Sequence, residues 1–336
     1  MSDLYGQGSC LVRLDWGAVG AQACLADVCV VVDVLSFSTS VTIAVERGMQ
    51  VLPFPWKDAR AADFARENDA VLAVGRLEAT KDGAVPAPSL SPAGLLACDP
   101  VPRLVLPSPN GSTIAAALRE VGSAVLIGCL RNAAAVGRHL AVEAARGHSV
   151  AVVAAGERWG SDDSLRRALE DHLGAGAIIS VLLALSPGLS VSREAQAAAR
   201  LFDASEHFLE SWMRDSVGGR ELSSRGFDAD VAVAAHLNSS DVVPAMVGQP
   251  SHFWHRTTEL NATSVEQGEV LLACLHGVDE HLIPAVSGQH DHLQDATVRV
   301  EPEAELAMRV VTEVTQEDRM LGGLNGVRGI DAVLQG

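Results

Sequence analysis

Short continuous apolar runs alternate with amphipathic stretches along this chain, and the alternation sets in near residue 28. Val28–Leu35 is apolar at every position but Asp33, which predicts a strand buried on both faces. A helix follows over 38–48, with Ser38 or Thr39 as N-cap and Gly48 closing it. The same reading predicts strands over 50–54, 71–74, 103–106, 124–127 and 149–154, and helices over 57–68, 112–121, 133–146 and 164–185. Repeated strand–helix units imply an α/β fold with a largely parallel sheet and helices on both faces. The connection over 75–102 is rich in Gly, Pro and Ser and too long for a turn, so it reads as a lid or flap. Beyond Pro187 the pattern is mainly helical, over 192–205, 206–216 and 226–237. From about Ser251 the periodicity weakens. The expected division is a domain over 1–250 and an acidic extension of unassigned role over 251–336.

Composition narrows the function classes. The 336 residues carry a formal net charge of −17, and from Arg256 onward 5 Arg and no Lys face 14 Asp and Glu. A polyanion would be repelled, and with aromatics at 4% there is little to stack bases on, so nucleic acid is not expected as a partner. No apolar run approaches the roughly 20 residues of a membrane span, and the start lacks the pattern of a secretory leader. The six cysteines show no CxxC and no framework spacing, which points to a reducing compartment, the cytosol by default.

Candidate chemistry collects where strands run into helix N-termini, the usual ligand-binding edge of an α/β sheet. Asp33 ends a buried strand, where an unpaired carboxylate is costly, and reads as a metal ligand or phosphoryl acceptor, with Ser38 and Thr39 beside it expected to bind the substrate phosphate. Leu35 stands where haloacid-dehalogenase phosphatases need a second Asp, which excludes that family. At the second junction Asn110, Gly111, Ser112 and Thr113 open a helix, and their N–H groups and hydroxyls would converge on an anion. The third junction offers Arg131 as a cation and Asn132 as an N-cap; the fourth offers Glu157 followed by Arg158. Downstream, Arg166 and Glu170 are spaced as an intrahelical pair. The small residues after them would leave Glu170 and Asp171 partly buried. With Asp33 these hard oxygen ligands suit Mg²⁺. The set His276, Asp279, His281, His290, Asp291 and His292 lacks a recognised ligand spacing and reads as solvated surface, and Cys129 has no histidine beside it in sequence.

Five blocks, VVVDVLSFSTSV, LPSPNGSTIA, GCLRNAAAVG, AAGERWGSDDSLRRALEDHLGAGAII and GGRELSSRGFDADVAVAAHLNSSDVVPAM, together resemble the 2-phosphosulfolactate phosphatases of the ComB type. They cover roughly residues 10 to 250 in the family's order. The resemblance implies a three-layer α/β/α fold with a largely parallel or mixed central sheet. It also implies Mg²⁺-dependent hydrolysis of a phosphate monoester on a small sulfo- or carboxy-acid. It assigns Asp33, Asn110, Gly111, Thr113, Asn132, Glu170 and Asp171 to the site. Two positions depart: Ser36 stands where the family commonly has Arg, and Arg131 where it has an apolar residue, as if the substrate-binding cation had moved between junctions. A small anionic phosphorylated substrate is the expected partner, with no membrane and with homo-oligomerisation left open. The alternatives are a related phosphotransferase or hydrolase acting on another phosphorylated metabolite, and a non-catalytic anion-binding or assembly protein.

Overall fold

The computed structural model describes residues 5–56, 58–76 and 88–255. Its centre is a mixed nine-stranded sheet, and the apolar runs are its middle. Strand β1 (Val12–Trp16) leads into helix α1 (Gly17–Ala23), β2 (Val28–Val32) into α2 (Phe37–Glu46), and β3 (Gln50–Phe54) into α3 (Ala59–Glu67). The short β4 (Val71–Leu72) precedes α4 (Pro92–Ala97); then come β5 (Arg103–Pro107), α5 (Gly111–Glu120), β6 (Ala124–Gly128), α6 (Ala133–Ala145) and β7 (Val150–Ala154). A two-stranded ribbon, β8 (Glu157–Arg158) with β9 (Leu165–Arg166), is followed by α7 (Leu169–Leu185), α8 (Arg193–Ser205), α9 (Leu209–Asp215), α10 (Val217–Ser224) and α11 (Asp228–Ala235). The hairpin β10 (Pro244–Val247) and β11 (His252–His255) comes last among the described residues.

The strand order is β1-β7-β2-β6-β10-β11-β3-β5-β4. Pairing is parallel within β1-β7-β2-β6 and within β3-β5-β4, while the antiparallel hairpin joins the two groups. Strand β2 shows why there are three layers. Val28, Val30 and Val32 pack into a core with α6, α7 and α8. Cys29 and Val31 face the opposite core, with α1, α2 and α5. A smaller core sets Leu52, Phe54 and Val105 against Ala61 and Ala65 of α3. No helix among the described residues is long and apolar enough to cross a membrane.

The differences from the sequence reading have physical causes. Helix α7 starts at Leu169, not at 164, because Asp162 Oδ1 accepts hydrogen bonds from both the N–H and the hydroxyl of Ser164, holding a turn instead of a helix. Arg166 therefore lies on β9 and shares no helix face with Glu170. Strand β1 and the β10–β11 hairpin were not predicted: β1 is an edge strand with polar Arg13 and Asp15, and the hairpin strands are only four residues each. The described part of the 75–102 connection is not a free flap, since α4 is capped by Ser91 and its Leu95 is fully buried. The His276–His292 set and the acidic extension lie outside the described residues.

Candidate active site

Asp33 follows the last residue of β2, and three hydrogen bonds made by two side chains lock its loop. Its own N–H donates to Ser38 Oγ (2.9 Å), Ser38 Oγ donates to the Val31 carbonyl (3.0 Å), and Thr39 Oγ1 donates to the Val34 carbonyl (2.8 Å). Ser38 and Thr39 are completely buried. They were expected to touch substrate; instead their hydroxyls are spent on the backbone that aims Asp33. The Asp33 carboxylate accepts from two helix N-termini: the Phe37 N–H on Oδ1 (3.2 Å) and the Gly111 N–H on Oδ2 (3.1 Å). The anion expected at the second junction is thus one the chain supplies itself.

That contact leaves no room at Gly111. A Cβ there would lie 2.2 Å from Phe37 Cδ1 and 2.9 Å from Asp33 Oδ2. Gly111→Ala is expected to lower stability by about 1–3 kcal/mol through overpacking and to lower kcat/KM by displacing Asp33. Thermal unfolding and steady-state kinetics on the same preparation check both. Ser112 is buried, its hydroxyl donating to the carbonyls of Phe54 (2.9 Å) and Ser108, so it supports the turn and does not face a ligand. Thr113 lines a neighbouring cavity with Trp16, Val19 and Leu165.

The acidic start of α7 does two different things. Asp171 accepts the Val34 N–H on Oδ1 (2.7 Å) and the Gly156 N–H on Oδ2 (2.8 Å), tying the loop after β2 to the loop after β7. Burial, then the negative charges of Asp33 and Glu170, push its carboxyl well above the ordinary range. Glu170 is 2% exposed and packs on α10, where a Cβ on Gly218 would come within 2.0 Å of its Oε1. Neither side chain lines the cavity at Asp33, so the expectation that both coordinate metal gives way to a structural tie (Asp171) and a side chain packed against α10 (Glu170).

Glu157 is the second carboxylate on the cavity wall. Its Oε2 accepts from Asn110 Nδ2 (3.0 Å), and Asn110 Oδ1 accepts in turn from Arg158 Nε (3.2 Å). Burial first, then Asp33 and Glu170, push its carboxyl up to about 7 against the opposing pull of Arg166.

The third junction does not reach the site. Asn132 is fully buried; its Oδ1 accepts the Cys129 N–H (2.9 Å) and its Nδ2 donates to the carbonyls of Ile127 (3.2 Å) and Val242 (3.0 Å). It braces the end of β6 and has no group left for a ligand. Arg131 is also buried, donating to the Val233 carbonyl (3.2 Å) and standing 3.8 Å from Glu46. It is not the substrate-binding cation that its position suggested. Cys129 is wholly buried against Thr42 and Asn132, and burial pushes its thiol up, as befits a small core residue.

The cavity at Asp33, ≈ 160 Å³, is lined by Ser36, Ser40, Asn110, Glu157 and Arg76 among others. Arg76 carries no sequence signal of its own, although it stands one residue past Gly75 after a predicted strand, the kind of position shared by the candidates at the four junctions. Its Nε donates to Asp230 Oδ2 (2.7 Å) and its Nη2 to Ser36 Oγ.

Magnesium was tested against these donors. No three His, Cys, Asp or Glu among the described residues are grouped as a ready metal cage. Mg²⁺ does not need one, because it usually keeps several waters and takes one or two carboxylates plus phosphate oxygens. Asp33 and Glu157 line one cavity, and a hard cation there would hold ionised a Glu157 carboxyl that burial first, then Asp33 and Glu170, raises. The residues fit.

The family model for 2-phosphosulpholactate phosphatase matches residues 19–249, more than half of the chain. No curated protein matches it.

Proposed function

The chain belongs to the 2-phosphosulpholactate phosphatase family and is a phosphoric monoester hydrolase, and from that premise we propose that it hydrolyses the phosphate ester of a small hydroxy acid with the help of Mg²⁺. The observation that carries this reading is the pairing of Asp33 and Glu157 on the wall of one small cavity, each held by groups that fix its direction.

In this reading Asp33 and Glu157 hold the cation. When bound, Mg²⁺ neutralises charge on the phosphoryl oxygens as the P–O bond to the leaving alcohol breaks. The chain's own work is positional. Phe37 and Gly111 N–H groups keep Asp33 from turning away, and Asn110 holds Glu157. Because both oxygens of Asp33 already accept N–H groups, we assign it to anchoring and leave the attack on phosphorus to water. Burial first, and then the charges of Asp33 and Glu170, raises the Glu157 carboxyl, and a cation bound beside it would favour the ionised form.

The test is phosphate release from 2-phospholactate by chain stripped with a chelator, then supplied with Mg²⁺ or Ca²⁺. Turnover should vanish on stripping and return with Mg²⁺, while Ca²⁺, larger and less strict in geometry, restores little. Equal rates before and after stripping would sink the magnesium reading.

A further inference from the structure

Arg76 is built into the cavity wall more firmly than a surface arginine. Three neighbours fix it: Asp230 accepts from Nε (2.7 Å), Ser36 Oγ accepts from Nη2, and the Phe227 ring lies 5.9 Å from the guanidinium carbon. Asp230 itself is 1% exposed and carries more than this one bond. Its Oδ1 accepts from the Ser91 hydroxyl and from the Ala93 N–H (3.0 Å), so its charge is shared among donors at both ends of the 76–93 stretch. The Arg76 side chain is 20% exposed. With Nε turned to Asp230, the Nη edge is the one that meets Ser36 and, with it, the cavity that holds Asp33.

Among the described residues, this fixed planar fork meets only a hydroxyl, Ser36 Oγ, on the cavity side. A serine hydroxyl is readily replaced by a carboxylate, which matches the guanidinium edge better and forms charge-assisted bonds. The two carboxylates, Asp33 and Glu157, account for the cation and through it the phosphoryl group. Arg76 faces the same small volume and is left to meet whatever is attached to that group. We infer that Arg76 selects substrates carrying a carboxylate next to the phosphate ester, and that Asp230 is its positioning residue. The inference rests on the reading of this cavity as the phosphatase site.

The experiment compares two ligands by calorimetry, 2-phospholactate and ethyl phosphate, which differ in the carboxylate. Binding is read with Ca²⁺ in place of Mg²⁺, so that little ester is turned over during the titration, and it stays informative even if no ester is hydrolysed. The intact chain should prefer 2-phospholactate by about 10–100-fold, the range for one charge-assisted bidentate contact. In Arg76→Ala that ratio should collapse toward one. Arg76→Lys, which keeps the charge and loses the fork, should retain part of it, and Asp230→Asn should lower it several-fold by freeing the fork. A ratio near one in the intact chain overturns the inference, as does a ratio that survives Arg76→Ala. Equal weakening of both ligands would place Arg76 on the phosphoryl group and overturn it too.

Discussion

Asp33→Asn is expected to lower kcat by roughly 10³-fold or more, the scale of losing a principal electrostatic group of a transition state, while the chain stays folded. The substitution keeps the shape of the side chain but turns one acceptor into a donor. Oδ1 and Oδ2 face the N–H groups of Phe37 and Gly111, so one of these would meet an NH₂ group instead of an oxygen. The anchor for the cation would be weakened and swung out of line at once. The surrounding loop should persist, because Ser38 and Thr39 hold it through the backbone, not through the carboxylate. The measurement is single-turnover phosphate release alongside circular dichroism. Phosphate trapped covalently on Asp33 of the unaltered chain would contradict the anchoring role and make the residue the nucleophile.

Glu157→Gln should weaken Mg²⁺ binding by roughly 100-fold or more, at or above the top of the 10–100-fold range for losing a supporting partner alone. Its pH signature is the sharper test. The carboxyl of the metal-free chain is pushed up to about 7, so below that value the proton and the cation compete for the same oxygens. Apparent Mg²⁺ affinity should therefore rise by about tenfold per pH unit up to about pH 7 and level off above it. In Glu157→Gln the rise through this window should disappear. Mg²⁺ titrations of activity between pH 5.5 and 8.5 read both effects. A slope of the same size in the variant would assign the ionisation to another group.

The parts of the fold that were legible in the sequence are those governed by local pattern. Strand β3 was predicted at Gln50–Phe54, where it is found, and α2, α5 and α6 begin and end within two residues of expectation. Asp33 was legible for a reason of energy: a carboxylate closing a run of valines has to be held by something. What holds it was not legible. Gly111 lies 78 residues away and Asp171, which binds the next residue's N–H, lies 137 residues from Val34. Arg76 is the clearest case, because its partners are 40 residues upstream and 154 downstream, and nothing in its Gly- and Pro-rich neighbourhood carries a period. Arg131 failed in the opposite way. Its position at a strand end was right, but position does not fix side-chain direction, and the guanidinium turns to Glu46 and the Val233 carbonyl.

The hairpin of β10 and β11 has a bearing on how the chain is assembled as it is made. Strands β6 and β3 are complete within the first 128 residues, yet neither can meet the other until residues 244–255 have been synthesised and inserted between them. Until then the nascent chain holds two half-sheets with raw inner margins, each open to pairing with a foreign strand. The family match stops at residue 249, but the last stave of the sheet runs to His255. A shortened version ending where the family match ends would keep every residue of the cavity and still leave that seam unclosed.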